Sequence, residues 1–382
     1  MKEGLLEKRG GPIGYNYALK TQLEKMGVKN IEYIPSPKRN KKKSKRSNIR
    51  TTWYGKILKL IRDFCRTFWE LYGKSKKAEV DLNQYDVVHF HSTKEMFLVK
   101  DSLKDYKGTV ILTTHSPEVY YKELIELLVP WAQKHMLWFF NKMELFDIYA
   151  FRRADYIFFP CPEAEEPYFH TWPKFEEIKR TNKEKFKYLL TGVSCGVAQL
   201  SREKVLEKYG IPQDAFVICF VGRHNTIKGY DIVKEISQRI FDKHSNVYFL
   251  IAGVEYPLTG VNHQNWIEAG WTNDPHSIIK ASNLYLMPNR ETYFDLAFLE
   301  VLSLGKILVA SKTGGNKYFT KDKTDGVFLF SKPDEALNII ENLLSKGDEE
   351  LKLLEKHNFE LYNKEFTLDV FAKNYVNLVG SL

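Results

Sequence analysis

The sequence FVICFVGRHNTIKGY, residues 216–230, joins an apolar run to a basic, glycine-containing turn. A continuous apolar segment such as residues 216–221 is typical of a parallel strand that is buried on both faces. Gly222 permits close approach of the backbone, and the helix predicted after Lys228 has a start that favours anions. Arg223 and Lys228 add two positive charges. The stretch therefore predicts a strand–turn–helix unit suited to a diphosphate.

Similar apolar runs recur along the chain. They are residues 86–91 (DVVHFH), 109–114 (TVILTT), 155–160 (DYIFFP), 247–252 (VYFLIA), 283–287 (NLYLM) and 306–310 (KILVA). Amphipathic stretches of helical length lie between several of them, which is typical of βαβ units and an open, doubly wound sheet. The runs fall into two sets divided near residues 190–215. We therefore expect an α/β protein with domains at 1–192 and 193–357 and a helical segment at 358–382 that packs back on the N-terminal domain.

Composition places the chain among globular proteins. Of its 382 residues, 43% are hydrophobic and 27% are charged, proportions that allow a sizeable core in each of two domains. The four cysteines are scattered without metal-binding spacing, which favours reduced thiols in a cytoplasmic protein. The apolar stretch 124–140 contains charged residues and fails as a membrane span.

The net charge of +9 is concentrated in KRNKKKSKRSNIR, residues 38–50. Residues 53–72 then place large apolar side chains at three- and four-residue steps, which predicts an amphipathic helix with basic residues elsewhere on its surface. Residues 38–72 could bind an anionic membrane surface. Alternatively, the basic run is a solvated loop and the helix packs on its own domain. No nucleic-acid-binding motif accompanies the run.

A second motif lies in PNRETYFDLAFLEVLSLG, residues 288–305. Glu300 sits in an otherwise apolar helical stretch, where a carboxylate is costly unless it has partners. The two hydroxyls of a ribose would supply them, although an exposed helix position would also explain the residue. Farther along, Thr313, Gly314 and Gly315 follow a strand and predict a turn whose backbone N–H groups face phosphate.

Histidines end two strands of the first domain. His91 and His115 lie at carboxyl ends, where open α/β sheets bind ligands. His89 and His91 share one strand face, but no third ligand is evident, so we expect no metal site.

These motifs resemble glycosyltransferase family 4, the retaining enzymes of GT-B fold among the glycosyl transferases of group 1. The resemblance implies two Rossmann-like, doubly wound domains that face each other across a cleft. It implies a donor site at Gly222, Arg223, Lys228, Glu300, Thr313, Gly314 and Gly315. It further implies that His115 contacts the transferring sugar, and that Gly10, Gly11 and His91 lie on the acceptor side.

One departure from the family concerns a carboxylate near the donor sugar. The first Glu of the family's Glu-x7-Glu motif falls on Thr292, whereas the neighbouring Glu291 is separated from Glu300 by eight residues. The resemblance implies either that Glu291 fills this role through a shifted loop, or that backbone groups of residues 294–296 do.

The implied reaction moves a sugar from a nucleotide-diphosphate sugar, as co-substrate, to a hydroxyl of a glycan or lipid-linked acceptor, with retention. Arg223 and Lys228 would act on the departing diphosphate without a metal, since no Asp-x-Asp motif is present. The expected setting is bacterial surface polysaccharide assembly at the inner membrane face. A sugar-nucleotide epimerase of the same architecture, or a non-catalytic glycosyltransferase-like subunit, is the alternative.

The beginning of the chain departs from this pattern. Residues 1–9 carry five charged residues and cannot fill a central buried strand. We therefore expect the first domain to lack its usual first strand, with Met1 downstream of the natural start.

Overall fold

The computed structural model describes residues 11–34 and 52–382, and side chains from Gly14 onward. The chain forms two compact units. The first comprises the described residues up to Phe159, with Pro167–Leu189 and Ser381–Leu382, and the second comprises Pro160–Glu166 and Leu190–Gly380. The charged segments at residues 1–9 and 38–50 lie outside the described residues, as does Gly10. The expectation of a missing first strand therefore stays a prediction.

Among residues 11–34 and 52 onward, the first unit is built on four parallel strands in the order β1-β2-β3-β4. They are β1 (Val87–Phe90), β2 (Thr109–Thr113), β3 (Tyr156–Phe159) and β4 (Phe186–Tyr188). The helices are α1 (Gly11–Lys25), α2 (Trp53–Tyr72), α3 (Thr93–Leu98), α4 (Lys100–Lys104), α5 (Tyr120–Glu126), α6 (Pro130–His135), α7 (Leu137–Phe140), α8 (Glu144–Arg153), α9 (Glu166–Thr171, which begins at the boundary) and α10 (Pro173–Thr181).

The second unit is built on six parallel strands in the order β10-β9-β8-β5-β6-β7. They are β5 (Phe216–Val221), β6 (Val247–Ala252), β7 (Trp266–Gly270), β8 (Leu284–Met287), β9 (Ile307–Ser311) and β10 (Val327–Phe330). The helices are α11 (Arg202–Tyr209), α12 (Tyr230–Phe241), α13 (Pro275–Ala281), α14 (Leu296–Ser303), α15 (Pro333–Leu344), α16 (Asp348–Glu365) and α17 (Leu368–Gly380). This strand order is that of dinucleotide-binding, doubly wound sheets.

The apolar runs predicted as strands are confirmed, and each is a strand of one of the two sheets. The inner strands are almost fully buried: all four residues of β8 and residues 217–220 of β5 are inaccessible to solvent. The sequence did not predict β4, β7 and β10. All three are edge strands whose burial alternates or fades along their length, so their sequences lack a continuous apolar run.

The helix predicted over residues 53–72 is confirmed as α2, and the Thr52 hydroxyl caps it by accepting the Gly55 N–H at 3.2 Å. Gly11, which the resemblance assigns to the acceptor side, is the first residue of α1, and the proline at position 12 is compatible with a first helical turn.

The C-terminal helices group with the second unit as far as Gly380, and the expected packing of residues 358–382 on the N-terminal domain stays a prediction. Buried hydrogen bonds account for this grouping. The Asn358 amide donates to the carbonyls of Lys306 and Gly326 at 2.8 and 2.9 Å, and the Tyr362 hydroxyl donates to the Val193 carbonyl at 3.0 Å. An amide buried in this way must find its partners inside the unit.

The second unit contains two glycines with similar left-handed backbones in different surroundings. Gly210 has φ +64° and open space where a Cβ would lie, whereas Gly229 has φ +66° and a Cβ would lie 1.9 Å from the Pro288 carbonyl oxygen. We expect Gly210→Ala to cost about 1–2 kcal/mol for the backbone alone. Gly229→Ala must cost more, because the loops have to separate. Thermal unfolding of both variants checks this, and equal melting temperatures would contradict it.

Candidate functional site

The loops that follow β5 and β8 meet where the strand order of the second unit reverses. Strand β5 pairs with β6 on one side and with β8 on the other, so the chain leaves β5 and β8 at one carboxyl edge. The two loops pack tightly: Gly229 lies against Pro288, and the Arg290 N–H donates to the Ile227 carbonyl at 3.0 Å. The predicted Gly222–Lys228 turn is thereby held beside the second motif.

The side chains of Lys228 and Asp295 join these two loops. Lys228 Nζ lies 2.7 Å from Asp295 Oδ2. Asp295 also caps α14 by accepting the Ala297 N–H at 3.1 Å, and it accepts the Asn289 amide at 2.9 Å. Burial alone would raise the pKa of Asp295, but the attraction of Lys228 and these hydrogen bonds lower it. The site therefore holds an ionised carboxylate against the predicted phosphate-binding lysine.

The other predicted cation of this turn is accessible to solvent. Arg223 is exposed and forms no ion pair within the described ranges. The next residue, His224, is fully buried and stacks on Tyr230 with ring centroids 4.0 Å apart and planes 6° apart. Its backbone N–H and carbonyl bond to Val254 and Leu258, at 3.3 and 3.0 Å. His224 thus anchors the turn, while Arg223 projects from it.

Glu300 has a protein partner. His276 Nε2 lies 3.7 Å from Glu300 Oε2, and His276 Nδ1 accepts the Val197 N–H at 3.2 Å. Since Nδ1 is an acceptor, the neutral ring carries its proton on Nε2, facing the carboxylate. The carboxylate raises the pKa of His276. The Glu300 side chain remains 39% exposed, so its oxygens can still accept hydrogen bonds from a ligand.

The glycine turn after β9 forms a short 3₁₀ segment, Gly314–Tyr318, and it already holds a carboxylate. The Gly314 N–H donates to Glu166 Oε1 at 3.4 Å, and Lys317 bonds the same carboxylate. The Gly315 N–H donates instead to the Tyr293 carbonyl at 3.1 Å. One of the N–H groups predicted to face phosphate is therefore used within the loops, while the other binds an anionic group.

Glu291 and Thr292 occupy different environments. Glu291 is exposed, whereas Thr292 is 5% exposed. Of these two residues, Glu291 is the one whose side chain reaches solvent at the carboxyl edge of β8.

The predicted histidines of the first unit form a cluster of partly buried side chains. His91 Nδ1 lies 3.0 Å from His115 Nε2, and the Tyr15 ring packs against His115 with centroids 4.8 Å apart. His89 Nε2 lies 2.7 Å from Thr113 Oγ1. Burial lowers the pKa of His89 to about 3 and that of His115 to about 4, and it lowers the pKa of His91 well below its ordinary value. The rings are neutral at pH 7, and the His91–His115 contact shares one proton.

Asp295, His276, Glu166 and His224 were not singled out from the sequence as side chains of the site. Each acts through a partner more than 20 residues away or on another element, so no local pattern identifies them. A weak signal was available for Asp295, since its spacing before an apolar helical run is that of a helix N-cap. Across residues 11–34 and 52–382, no group of three or more His, Cys, Asp or Glu residues is arranged to hold a metal ion. None of the described helices is both long enough and apolar enough to cross a membrane.

Residues 201–358 match the family model described as Glycosyl transferases group 1. The chain is 24% identical over 219 residues to an uncharacterized glycosyltransferase of Methanocaldococcus jannaschii, a match that covers 53% of this chain and 55% of the relative. It is 26% identical over 139 residues to the UDP-Gal:alpha-D-GlcNAc-diphosphoundecaprenol alpha-1,3-galactosyltransferase of Escherichia coli, covering 34% and 35%. The chain thus spans about half or less of the length of these curated relatives.

Solved structures extend the similarity to most of the chain. The sucrose-phosphate synthase of Thermosynechococcus elongatus is 15% identical with a TM-score of 0.62, covering 98% of this chain and 94% of that one. Anabaena HepE in complex with UDP and glucose is 13% identical with a TM-score of 0.57, covering 83% and 89%. These similarities show the fold, which is GT-B. The family match lies within the second unit of this fold.

Because desolvation opposes protonation of these histidines in the folded state, we expect the free energy of unfolding to fall in acid. Because the folded pKa of His89 is about 3 and the unfolded value is about 6.5, this contribution is present above pH 6.5 and is lost as the pH falls towards 3. Between pH 6.5 and pH 5, one such histidine accounts for about 2 kcal/mol. We expect His89→Gln to lose less stability over this interval than the wild type. Thermal unfolding at both pH values measures it, with His135→Gln, an exposed position of the same unit, as the control.

Proposed function

We propose that the protein is a retaining glycosyltransferase that moves a sugar from a nucleotide-diphosphate sugar to a hydroxyl of a glycan or lipid-linked acceptor. The observation that carries the proposal is the meeting of the β5 and β8 loops at the switch point of the second sheet. There the Gly222–Gly229 turn and the Lys228–Asp295 pair lie at one carboxyl edge, and Glu300 lies on α14, the helix that Asp295 caps. Ligands of open α/β sheets bind at this position.

Three features of the loops support an anionic donor. Arg223 is exposed and unpaired within the part of the chain that the structure describes, and Lys228 lies at the start of α12 behind Gly229. The Gly314 amide and Lys317 hold the Glu166 carboxylate, so this turn binds anions. Cations and backbone N–H groups of this kind stabilise the charge that develops on a departing diphosphate.

Glu300 supports the assignment of the ribose end of the donor. Its carboxylate is half-exposed, one to two turns along α14 from the capping residue Asp295, and His276 orients it from one side. A ribose offers two hydroxyl donors to such a carboxylate. Relatives are consistent with a nucleotide ligand: solved structures of HepE contain UDP, with glucose or as UDP-glucose.

In the proposed mechanism, the donor sugar leaves its diphosphate through an oxocarbenium-like transition state. Arg223 and Lys228 stabilise the leaving diphosphate without a metal, and Glu300 fixes the nucleoside. Glu291 acts next to the donor sugar, since it is exposed where Thr292 is buried. His115 contacts the transferring sugar, and His91 holds it in one tautomer through their 3.0 Å contact.

We place the reaction in bacterial surface polysaccharide biosynthesis, at the cytoplasmic face of the inner membrane. The relative from E. coli is named for a diphosphoundecaprenol acceptor, which motivates a lipid-linked acceptor here. Gly10 and Gly11 are proposed for the acceptor side, and the basic residues 38–50 for attraction to anionic lipid. No cofactor is part of the proposal.

Nucleoside diphosphates test the donor site directly. We expect them to raise the melting temperature of the wild type, and Arg223→Ala and Lys228→Ala to remove that shift and to lower transfer by about 10²-fold or more. Arg239→Ala, an exposed arginine paired with Asp334, is the matched control. Because Lys228→Ala leaves the Asp295 carboxylate without its positively charged partner, Asp295→Asn is measured too. It removes a negative charge beside Lys228 and should retain or strengthen nucleotide binding.

Several outcomes would contradict this donor site. Near-normal turnover in both cation variants would exclude the diphosphate clamp. Isomerisation of the donor sugar without an acceptor would indicate an epimerase, and nucleotide binding without any transfer would indicate a non-catalytic subunit.

Glu300→Gln should weaken nucleoside diphosphate binding, because the ribose loses a charged acceptor worth about 1.5–3 kcal/mol. Glu291→Gln should lower kcat more than Thr292→Ala does, since the Thr292 side chain is buried away from solvent. Calorimetric binding and steady-state kinetics measure the two effects separately. A larger loss of kcat in Thr292→Ala would show that the shifted-loop assignment of Glu291 is wrong.

A further inference from the structure

The exposed side of α2 carries an unusual number of large apolar side chains. The helix packs on the first unit through Leu60, Phe64 and Leu71, which contact a cluster that includes Phe139 and Met143. Its remaining surface leaves aromatic and aliphatic side chains in solvent. These are Trp53, Tyr54, Ile57, Leu58, Ile61, Phe68, Trp69 and Tyr72. The helix therefore packs on its own unit through one face, while another face is open to solvent.

A second element continues this surface. The segment from Leu127 through α6 and α7 buries Ala132, Phe139 and Phe140 beneath α2. Its outward side chains are exposed: Leu127, Trp131, Leu137 and Trp138. Contacts join the two elements along their length. The Phe64 and Phe139 rings lie 4.4 Å apart, Lys142 Nζ lies 5.8 Å from the centre of the Tyr72 ring, and Lys59 donates to the Leu127 carbonyl.

The charges around these side chains are predominantly basic, and the exposed Glu126 beside Leu127 is the exception. On α2, Lys56, Arg62 and Arg66 are exposed, while Asp63 is buried and Glu70 is paired with Lys94 at 2.6 Å. Arg62 and Arg66 lie 3.1 and 3.3 Å from Asp63, which holds them at the side of the helix. Residues 127–143 contain Lys134 and Lys142 and no acidic residue.

We propose that α2 and the segment 127–142 together form one docking surface for an anionic phospholipid bilayer. Tryptophan and tyrosine favour the membrane–water interface, where an apolar ring meets polar headgroups. Lysine and arginine beside them attract anionic lipid. A contiguous patch of exposed apolar side chains that is flanked by polar residues marks an interaction surface.

Charge complementarity selects the bilayer over a second copy of the chain. A symmetric dimer through this surface would bring the basic residues of both copies together, and like charges in an interface oppose association. An anionic bilayer neutralises them instead. Binding of this surface to a bilayer is separate from the proposed sugar transfer, so its test needs no activity measurement.

The test measures binding of the full chain to phosphatidylcholine vesicles with and without phosphatidylglycerol. We expect binding to the anionic vesicles that weakens between about 0.1 M and 1 M salt, as the Debye length falls from about 10 Å to 3 Å. Trp69→Ser with Trp138→Ser should weaken it by about tenfold or more, because two large apolar side chains no longer leave water. Trp271→Ser is the matched control: Trp271 is 68% exposed, as is Trp138, but belongs to the second unit.

Two further measurements keep the result independent of folding. Brominated lipid chains should quench tryptophan fluorescence of the wild type and of Trp271→Ser, and much less that of the double variant. Lys56→Gln with Lys134→Gln should reduce the preference for anionic vesicles while melting as the wild type does.

Absence of binding to anionic vesicles, or unchanged binding of the double tryptophan variant, would overturn the proposal. A dimer in solution that this variant abolishes would overturn it in favour of self-association. Nucleoside diphosphate binding, measured without vesicles, reports on the transferase proposal separately.

Discussion

Strand β5 of the second unit hydrogen-bonds to β6 on one side and to β8 on the other, and the position of the candidate donor site depends on this double pairing. A parallel sheet places every strand's carboxyl end at one edge, and the pairing of β5 with β8 brings the loops that follow them side by side at the point where the strand order reverses. The fully buried residues of β5 and β8 make the register costly to change. The loops carrying Lys228 and Asp295 therefore meet because of backbone pairing.

Electrostatics then shape that edge. Two loops that could bind an anion hold carboxylates of the protein itself: Asp295 against Lys228, and Glu166 against Gly314 and Lys317. The largely buried Asp295 carboxylate would be costly without a partner, so its pair with Lys228 stabilises the loops. We infer that a diphosphate bound as proposed would compete with these carboxylates or share their cations, so that the carboxylates would set donor affinity.

The first unit has two distinct features, a histidine cluster and an exposed aromatic and basic surface. Its partly buried histidines lie at the carboxyl ends of β1 and β2, where desolvation lowers their pKa values and favours the neutral rings. Its helical side, formed by α2 and the segment 127–142, presents aromatic and basic side chains to solvent. We infer that a transferase acting on a lipid-linked acceptor would use both features, with chemistry near the sheet and attachment through the helices.

The sequence by itself determined the α/β class, seven of the ten strands in the described part of the chain, the helix at residues 53–72 and the Gly222–Lys228 turn. These features depend on local periodicity, continuous apolar runs and glycine, which act over a few residues. Only the tertiary structure decided the edge strands β4, β7 and β10, the grouping of the C-terminal helices, and the pairing of Lys228 with Asp295 and of Glu300 with His276. Each of these features depends on contacts between residues that are distant in the chain. Burial and charge stabilise those contacts, and a local sequence pattern does not show them.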